Sequence, residues 1–276
     1  MTFLATASAL EPKRARLEEI LNGLGRVLIA YSGGVDSAVL LAESHRVLGG
    51  RAQGIIARSP SLPEAELTQA LSLAREHGIP VRVIETDEME RAEYRANRPD
   101  RCYHCKTELF ERLESLAREE RWDAIAYGAV TDDLGDVRPG MTAADRHHIH
   151  APLLEAGLSK VEVRMLARRL ALRVWDKPQS ACLASRIPHG SEVTVEKLKQ
   201  VERGEAVLRE KLGLRVVRLR HEGVKARIEV APSDVARLLR PEEKEAVLAI
   251  VQDLGFAELE IDPRGYRRAD PLPQED

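Results

Sequence analysis

The stretch VLIAYSGGVDSAVLLAE, Val27 to Glu43, decides the fold of this chain. Its first half, together with Arg26, reads as a buried strand. The run Ser32-Gly33-Gly34-Val35-Asp36-Ser37 follows, and a helical pattern starts directly behind it. Paired glycines let a backbone come close to phosphate oxygens, and a helix N-terminus presents N–H groups to them. Ser32 and Ser37 add hydroxyl donors, and Asp36 can hold a Mg2+ ion that bridges phosphates. A bare glycine pair would be ordinary punctuation between strand and helix. All six residues in this setting predict a nucleotide-phosphate loop. It is not of the Walker A type, because no Gly-Lys-Ser/Thr follows.

Outward from this loop, short apolar runs alternate with helical patterns. AQGIIAR, VRVIET and DAIAYGA read as strands; PEAELTQALSLAREHGIP and KTELFERLESLAREERW read as the helices between them. Such alternation predicts an α/β fold, a parallel twisted sheet with helices on both faces. SKVEVRMLARRLAL adds a further helix with Ser159 as its N-cap. After WDKPQSACLASRIPHGSE the grammar changes to a long helix, two alternating strands, a helical stretch and a last strand. This αββαβ order predicts a smaller α+β domain. The expected boundaries are 1–188 for the phosphate-loop domain, 189–270 for the small domain and 271–276 for a tail.

Composition narrows the function classes. Of 276 residues, 43% are hydrophobic and 32% charged, as in ordinary globular proteins. The longest apolar runs are far shorter than the ~20 residues that span a bilayer. The N-terminus has no basic segment ahead of an apolar one, so the expected location is the cytoplasm. A formal charge of −3 lacks the positive excess of a nucleic-acid-gripping protein, so no nucleic-acid partner is expected.

Only three cysteines occur: Cys102 and Cys105 in RCYHCK, and Cys182 in ACLASR. In a reducing compartment such a pair points to a metal or redox site more than to a structural staple. The residues alone leave several readings open. A CxxC opening a helix is also a thiol–disulfide arrangement, although its flanks here are wrong for that fold. Zinc held by three cysteines and one of His104, His147, His148 or His150 is another. Cys182 acting alone is a third. Asp132, Asp133 and Asp136 follow a strand end, where a ligand crevice is expected, so one of them is a candidate to assist Mg2+.

The SGGVDS loop resembles the PP-loop of the ATP pyrophosphatase superfamily, whose members cleave ATP between the α and β phosphates and form adenylates. PLLEAGLSKVEVRMLARRLALRVWDKPQSACLASRIPHG, with RCYHCK, DDLGDVRPG, RLRHEG and DPRGYR, resembles the LarE sulfur transferases from about Leu17 to Arg267. The resemblance implies adenylation of pyridinium-3,5-biscarboxylic acid mononucleotide and its conversion to thiocarboxylate, for the nickel-pincer nucleotide of lactate racemase. It implies ATP and Mg2+ at Ser32, Gly33, Gly34, Asp36 and Ser37, and a catalytic role for Cys182. In single-cysteine members that cysteine gives up its own sulfur. With Cys102 and Cys105 present, the chain resembles the branch in which three cysteines hold a [4Fe–4S] cluster. A tRNA thiolase, an amide-forming ligase and a metal carrier are the rival readings. A homo-oligomer, a hexamer among the possibilities, is also implied by the resemblance.

A substrate bearing phosphate and carboxylates needs fixed cationic forks. Arg218 and Arg220 lie two apart on one strand and share a face. Both match the family pattern, as does Arg264. Arg186, Ser185 and Lys177 flank Cys182 and are candidates for tuning its thiol or touching phosphate. Lys160 is a candidate for ATP phosphates, and Glu229 for a metal or the substrate.

Overall fold

The structure is a computed structural model and describes residues 2–135, 139–177 and 181–267. It divides into two compact units: Met1–Tyr94 with Pro99–Ala181, and Arg95–Arg98 with Cys182–Asp276. Cys102 and Cys105 belong to the first unit, Cys182 to the second.

The first unit runs α1 (Thr2–Gly23), β1 (Val27–Ala30), α2 (Val35–Leu48), β2 (Ala52–Arg58), α3 (Glu64–Glu76), β3 (Val81–Glu85), α4 (Arg101–Glu120), β4 (Ala124–Tyr127), α5 (Pro139–Arg146) and α6 (Lys160–Arg169). All four strands are parallel, in the order β3-β2-β1-β4. The α/β fold and its helix-covered parallel sheet are as expected. In β1 the side chains alternate between two cores. Val27 and Ile29 pack with Leu17 and Leu21 of α1, Val39 of α2, Leu67 of α3 and Leu166 of α6. Leu28 and Ala30 pack with Phe110 and Leu113 of α4 and Ala143 and Ala144 of α5. A central strand buried on both faces must be apolar throughout, which is why its sequence shows no polar alternation. The helix α1 is a departure, since the sequence pattern does not announce it and Pro12 lies within it. Leu10, Leu17 and Leu21 are nevertheless fully buried, so packing overrides local propensity.

The strand order reverses at β1: β2 and β3 lie to one side, β4 to the other. Beyond the C-terminal ends of β1 and β4 lies the crevice in which such sheets bind ligands. The loops at Ser32–Ser37 and Gly128–Asp133 both leave from there.

The second unit is the α+β arrangement expected: α7 (Val195–Leu212), β5 (Val217–Glu222), β6 (Lys225–Val230), α8 (Pro232–Leu238), α9 (Pro241–Asp253) and β7 (Glu258–Ile261). β5 and β6 are antiparallel, and β7 joins β6 in parallel. Along β5 buried Val217, Leu219 and His221 alternate with half-buried Arg218, Arg220 and Glu222. That alternation aims two arginines away from the core.

Candidate active site

The phosphate loop is built by close backbone packing. Gly33 has φ of +74°, and a Cβ there would lie 2.7 Å from the Ala70 Cβ on α3. Both the left-handed backbone and the contact demand glycine. The Ser37 hydroxyl donates to the Gly34 carbonyl at 3.1 Å and accepts from the Ser32 N–H at 3.2 Å, with the Ser32 hydroxyl 3.1 Å away. Behind the loop, Tyr31 donates its hydroxyl to the Ala70 carbonyl at 3.0 Å. Gly128, at the end of β4, is a residue the sequence reading missed. A Cβ there would come within 2.7 Å of the Ser37 nitrogen, so only glycine lets the start of α2 seat against β4.

Asp36 is the electrostatic centre of this loop. One carboxylate oxygen is ion-paired with the Lys160 ammonium at the start of α6. The other, Oδ1, is buried and has no hydrogen-bond partner. Burial raises the Asp36 pKa, Lys160 pulls against it, and Asp133 adds to the rise. A buried carboxylate oxygen without a donor suits a divalent cation, so the residues present fit Mg2+. Asp132 accepts the Lys160 N–H at 2.7 Å, and Asp133 accepts the Val130 N–H at 2.9 Å. Asp132 therefore positions α6, and Asp133 is the acid whose charge reaches Asp36. Asp136 lies outside the described residues. Ser159 and Glu162 form the capping box that starts α6 and holds Lys160 at its first position.

Cys102 and Cys105 sit three apart near the N-terminus of α4, on neighbouring positions of one helix face. Cys102 is exposed, Cys105 and Cys182 are half-buried, and no disulfide joins any of them. Among the described residues, no three of the His, Cys, Asp and Glu side chains converge as a metal site. Two of the four histidines weighed for zinc have partners elsewhere: His104 Nε2 lies 3.3 Å from Asp100, and His147 Nδ1 lies 2.9 Å from Glu114.

In the second unit Cys182 precedes a short turn, Leu183–Arg186. Arg186 is buried and pairs with buried Glu205 at 2.8 Å; it also donates to the Cys182 carbonyl at 3.0 Å and the Ser185 hydroxyl at 2.9 Å. It braces the loop main chain and is spent on that task. Asn97 is a second residue the sequence reading missed. Fully buried with φ of +53°, it donates to the carbonyls of Ile187, Pro188 and Ser191 and accepts from the Gly190 N–H. The loop after Cys182 is wrapped around this one side chain.

Arg220, Arg227, Arg264 and Arg267 line a cavity of about 310 Å3 together with Glu229, Asp262 and Gly265. Two of the three expected substrate arginines, Arg220 and Arg264, thus meet. Arg218 does not line the cavity; it lies over the Tyr266 ring at 5.1 Å and donates to the Val217 carbonyl. Burial, and next the Arg186 charge, lower its pKa. Glu229 is held by Arg220 at 2.7 Å and Arg227 at 2.6 Å, so it neutralises arginines. Arg264 holds the Asp262 carboxyl at a pKa of about 2. Four guanidinium groups against two carboxylates leave the lining positive, suited to an anion with several oxygens.

No family model matches the chain. It is 33% identical over 261 residues to the pyridinium-3,5-bisthiocarboxylic acid mononucleotide synthase of Lactiplantibacillus plantarum, covering 94% of each protein. It is 41% identical over 258 residues to an uncharacterized protein of Synechocystis sp., covering 94% of this chain and 96% of that one. Against the tRNA-specific 2-thiouridylase of Geobacter metallireducens it is 29% identical, over 53% of that protein. The phosphate loop at the switch point of a parallel sheet and this full-length likeness agree: the chain belongs to the LarE family, ATP-dependent sulfurtransferases of the PP-loop superfamily.

Proposed function

We propose that the chain uses ATP and Mg2+ to adenylate the carboxylates of pyridinium-3,5-biscarboxylic acid mononucleotide and converts them to thiocarboxylates for the nickel-pincer cofactor of lactate racemase. Sulfur delivery through a [4Fe–4S] cluster held by Cys102, Cys105 and Cys182 belongs to the same proposal. So do a homo-oligomeric assembly, residence in the cytoplasm and the absence of a nucleic-acid partner. The observation that carries the ATP and Mg2+ part of the reading is the buried, donorless Oδ1 of Asp36 on a glycine-built phosphate loop, and the substrate and sulfur transfer are supported by the likeness to the Lactiplantibacillus plantarum synthase.

In this reading a substrate carboxylate attacks the α-phosphorus of ATP and pyrophosphate leaves. The acyl adenylate then loses AMP to a sulfur nucleophile. The chain's residues prepare both steps. The N–H groups at the start of α2 and the Ser32 and Ser37 hydroxyls orient the phosphates. Asp36 supplies a carboxylate for Mg2+, which when bound neutralises phosphate charge. Arg220 and Arg264 hold the anionic nucleotide. Cys102, Cys105 and Cys182 would hold the cluster through their thiolates, and the cluster would supply sulfide as the nucleophile.

The test of the sulfur route is purification without oxygen, followed by measurement of iron, acid-labile sulfide and visible absorbance. Iron with matching sulfide is expected. Zinc without sulfide contradicts the cluster. Loss of sulfur from Cys182 after turnover, read from the mass of the intact chain, identifies a sacrificial thiol instead.

A further inference from the structure

Helix α6 carries more than Lys160. Lys160, Arg164 and Arg168 recur every four residues and so line one helix face. Lys160 reaches Asp36. Arg164, one turn on, donates to the carbonyls of Trp175 and, at 3.0 Å, Lys177, and its charge also acts on Asp36. Arg168 lies over the Trp175 ring at 4.1 Å. The segment Trp175–Lys177 is thereby fastened to the same helix that meets the phosphate loop.

The segment then returns to the loop. The Lys177 ammonium is ion-paired with Glu66 of α3 and lies 3.4 Å from the Gly33 carbonyl oxygen. Gly33 is also the residue whose backbone presses on Ala70, one turn further along α3. Its peptide is therefore held on two sides, by α3 packing and by an ammonium aimed at its carbonyl. A cation on that carbonyl fixes the orientation of the peptide plane in a loop whose donors must face phosphate.

We propose that Lys177 is a positioning residue of the phosphate loop, held by Glu66 and Arg164, and that it acts on the nucleotide through the Gly33 peptide. This differs from a direct role in which Lys177 leaves Glu66 to grip phosphate. The two roles give opposite signs on removing the Glu66 charge. It rests on the reading of the loop as an ATP site.

The experiment titrates the full-length chain with ATP and Mg2+ by calorimetry, without the pyridinium nucleotide, and checks each variant by thermal unfolding. Lys177→Met should weaken ATP binding roughly tenfold, the scale of one hydrogen bond to a charged group. Lys177→Arg should restore most of that loss. Glu66→Gln should weaken binding several-fold, and the double variant should bind no worse than Lys177→Met alone, because both changes act through one contact. Tighter or unchanged ATP binding in Glu66→Gln overturns the proposal, even where Lys177→Met fails to fold. A wild-type chain that does not bind ATP overturns the reading of the loop itself, a separate result.

Discussion

The phosphate loop and the arginine-lined cavity are both suited to anions, and they are built in opposite ways. The loop is one contiguous run, Ser32–Ser37, whose donors are main-chain N–H groups and two short hydroxyls. Its acid, Asp36, is set against a single ammonium. The cavity gathers long side chains from β5, β6 and the stretch behind β7, and Arg220, Arg227 and Arg264 are each tied to a carboxylate. Arg220 faces Arg227 directly across the β5–β6 pair, a like-charge opposition that costs stability in a sheet. Glu229 bridges the two, and an excess of positive charge remains. The first suits phosphate by backbone shape; the second suits an anion by accumulated charge. Local conflict of the second kind is typical of functional sites.

If the two sites act separately, their variants should separate too. The largest effect is expected from Asp36→Asn, which should lower AMP formation by about 100-fold or more, the scale of a preorganised charge at a phosphoryl site. Normal AMP release would break the phosphate-loop half of the comparison. Arg220→Met should raise the KM for the pyridinium nucleotide by roughly 10- to 100-fold. The KM for ATP should stay where it is; a parallel rise in both would show that the sites are not independent.

Gly33→Ala tests the claim that the loop is made by backbone. The new Cβ meets Ala70 at 2.7 Å on a left-handed φ, which should cost about 1–3 kcal/mol in denaturant unfolding and weaken ATP binding. Stability unchanged within error would mean the loop adapts. The smallest effect lies in the cavity. Arg264 lowers the Asp262 pKa to about 2, below the unfolded value of 3.8. A carboxylate with a depressed folded pKa stabilises above the unfolded value and loses that contribution as pH falls through the folded one. Acid unfolding between about pH 4 and pH 2 should therefore be milder in Asp262→Asn than in the parent chain, relative to each protein at neutral pH.

The contrast explains what could be read from sequence. A contiguous loop between strand and helix is legible because its donors are set by neighbours in the chain. The sheet was legible for the same reason, from apolar runs at strand length. Gly128 was not, since its need for no side chain arises only where β4 meets α2. Nor was Asn97, whose partners lie about ninety residues away in Ile187–Ser191. Arg186 looked like a thiol neighbour in sequence, yet folding turns its guanidinium inward to Glu205. Arg227 escaped notice because only strand register sets it opposite Arg220. Pro12 concealed α1, which is held by burial of its leucines.

In the proposed reaction one chain spends ATP to put sulfur on a carboxylated pyridinium nucleotide. The most direct measurement incubates anaerobically prepared protein with ATP, Mg2+ and pyridinium-3,5-biscarboxylic acid mononucleotide, and follows AMP and the nucleotide by mass spectrometry. Substrate-dependent AMP is expected, with a nucleotide in which carboxylate oxygen has been exchanged for sulfur. ATP left intact, or AMP formed at the same rate without the nucleotide, would contradict it.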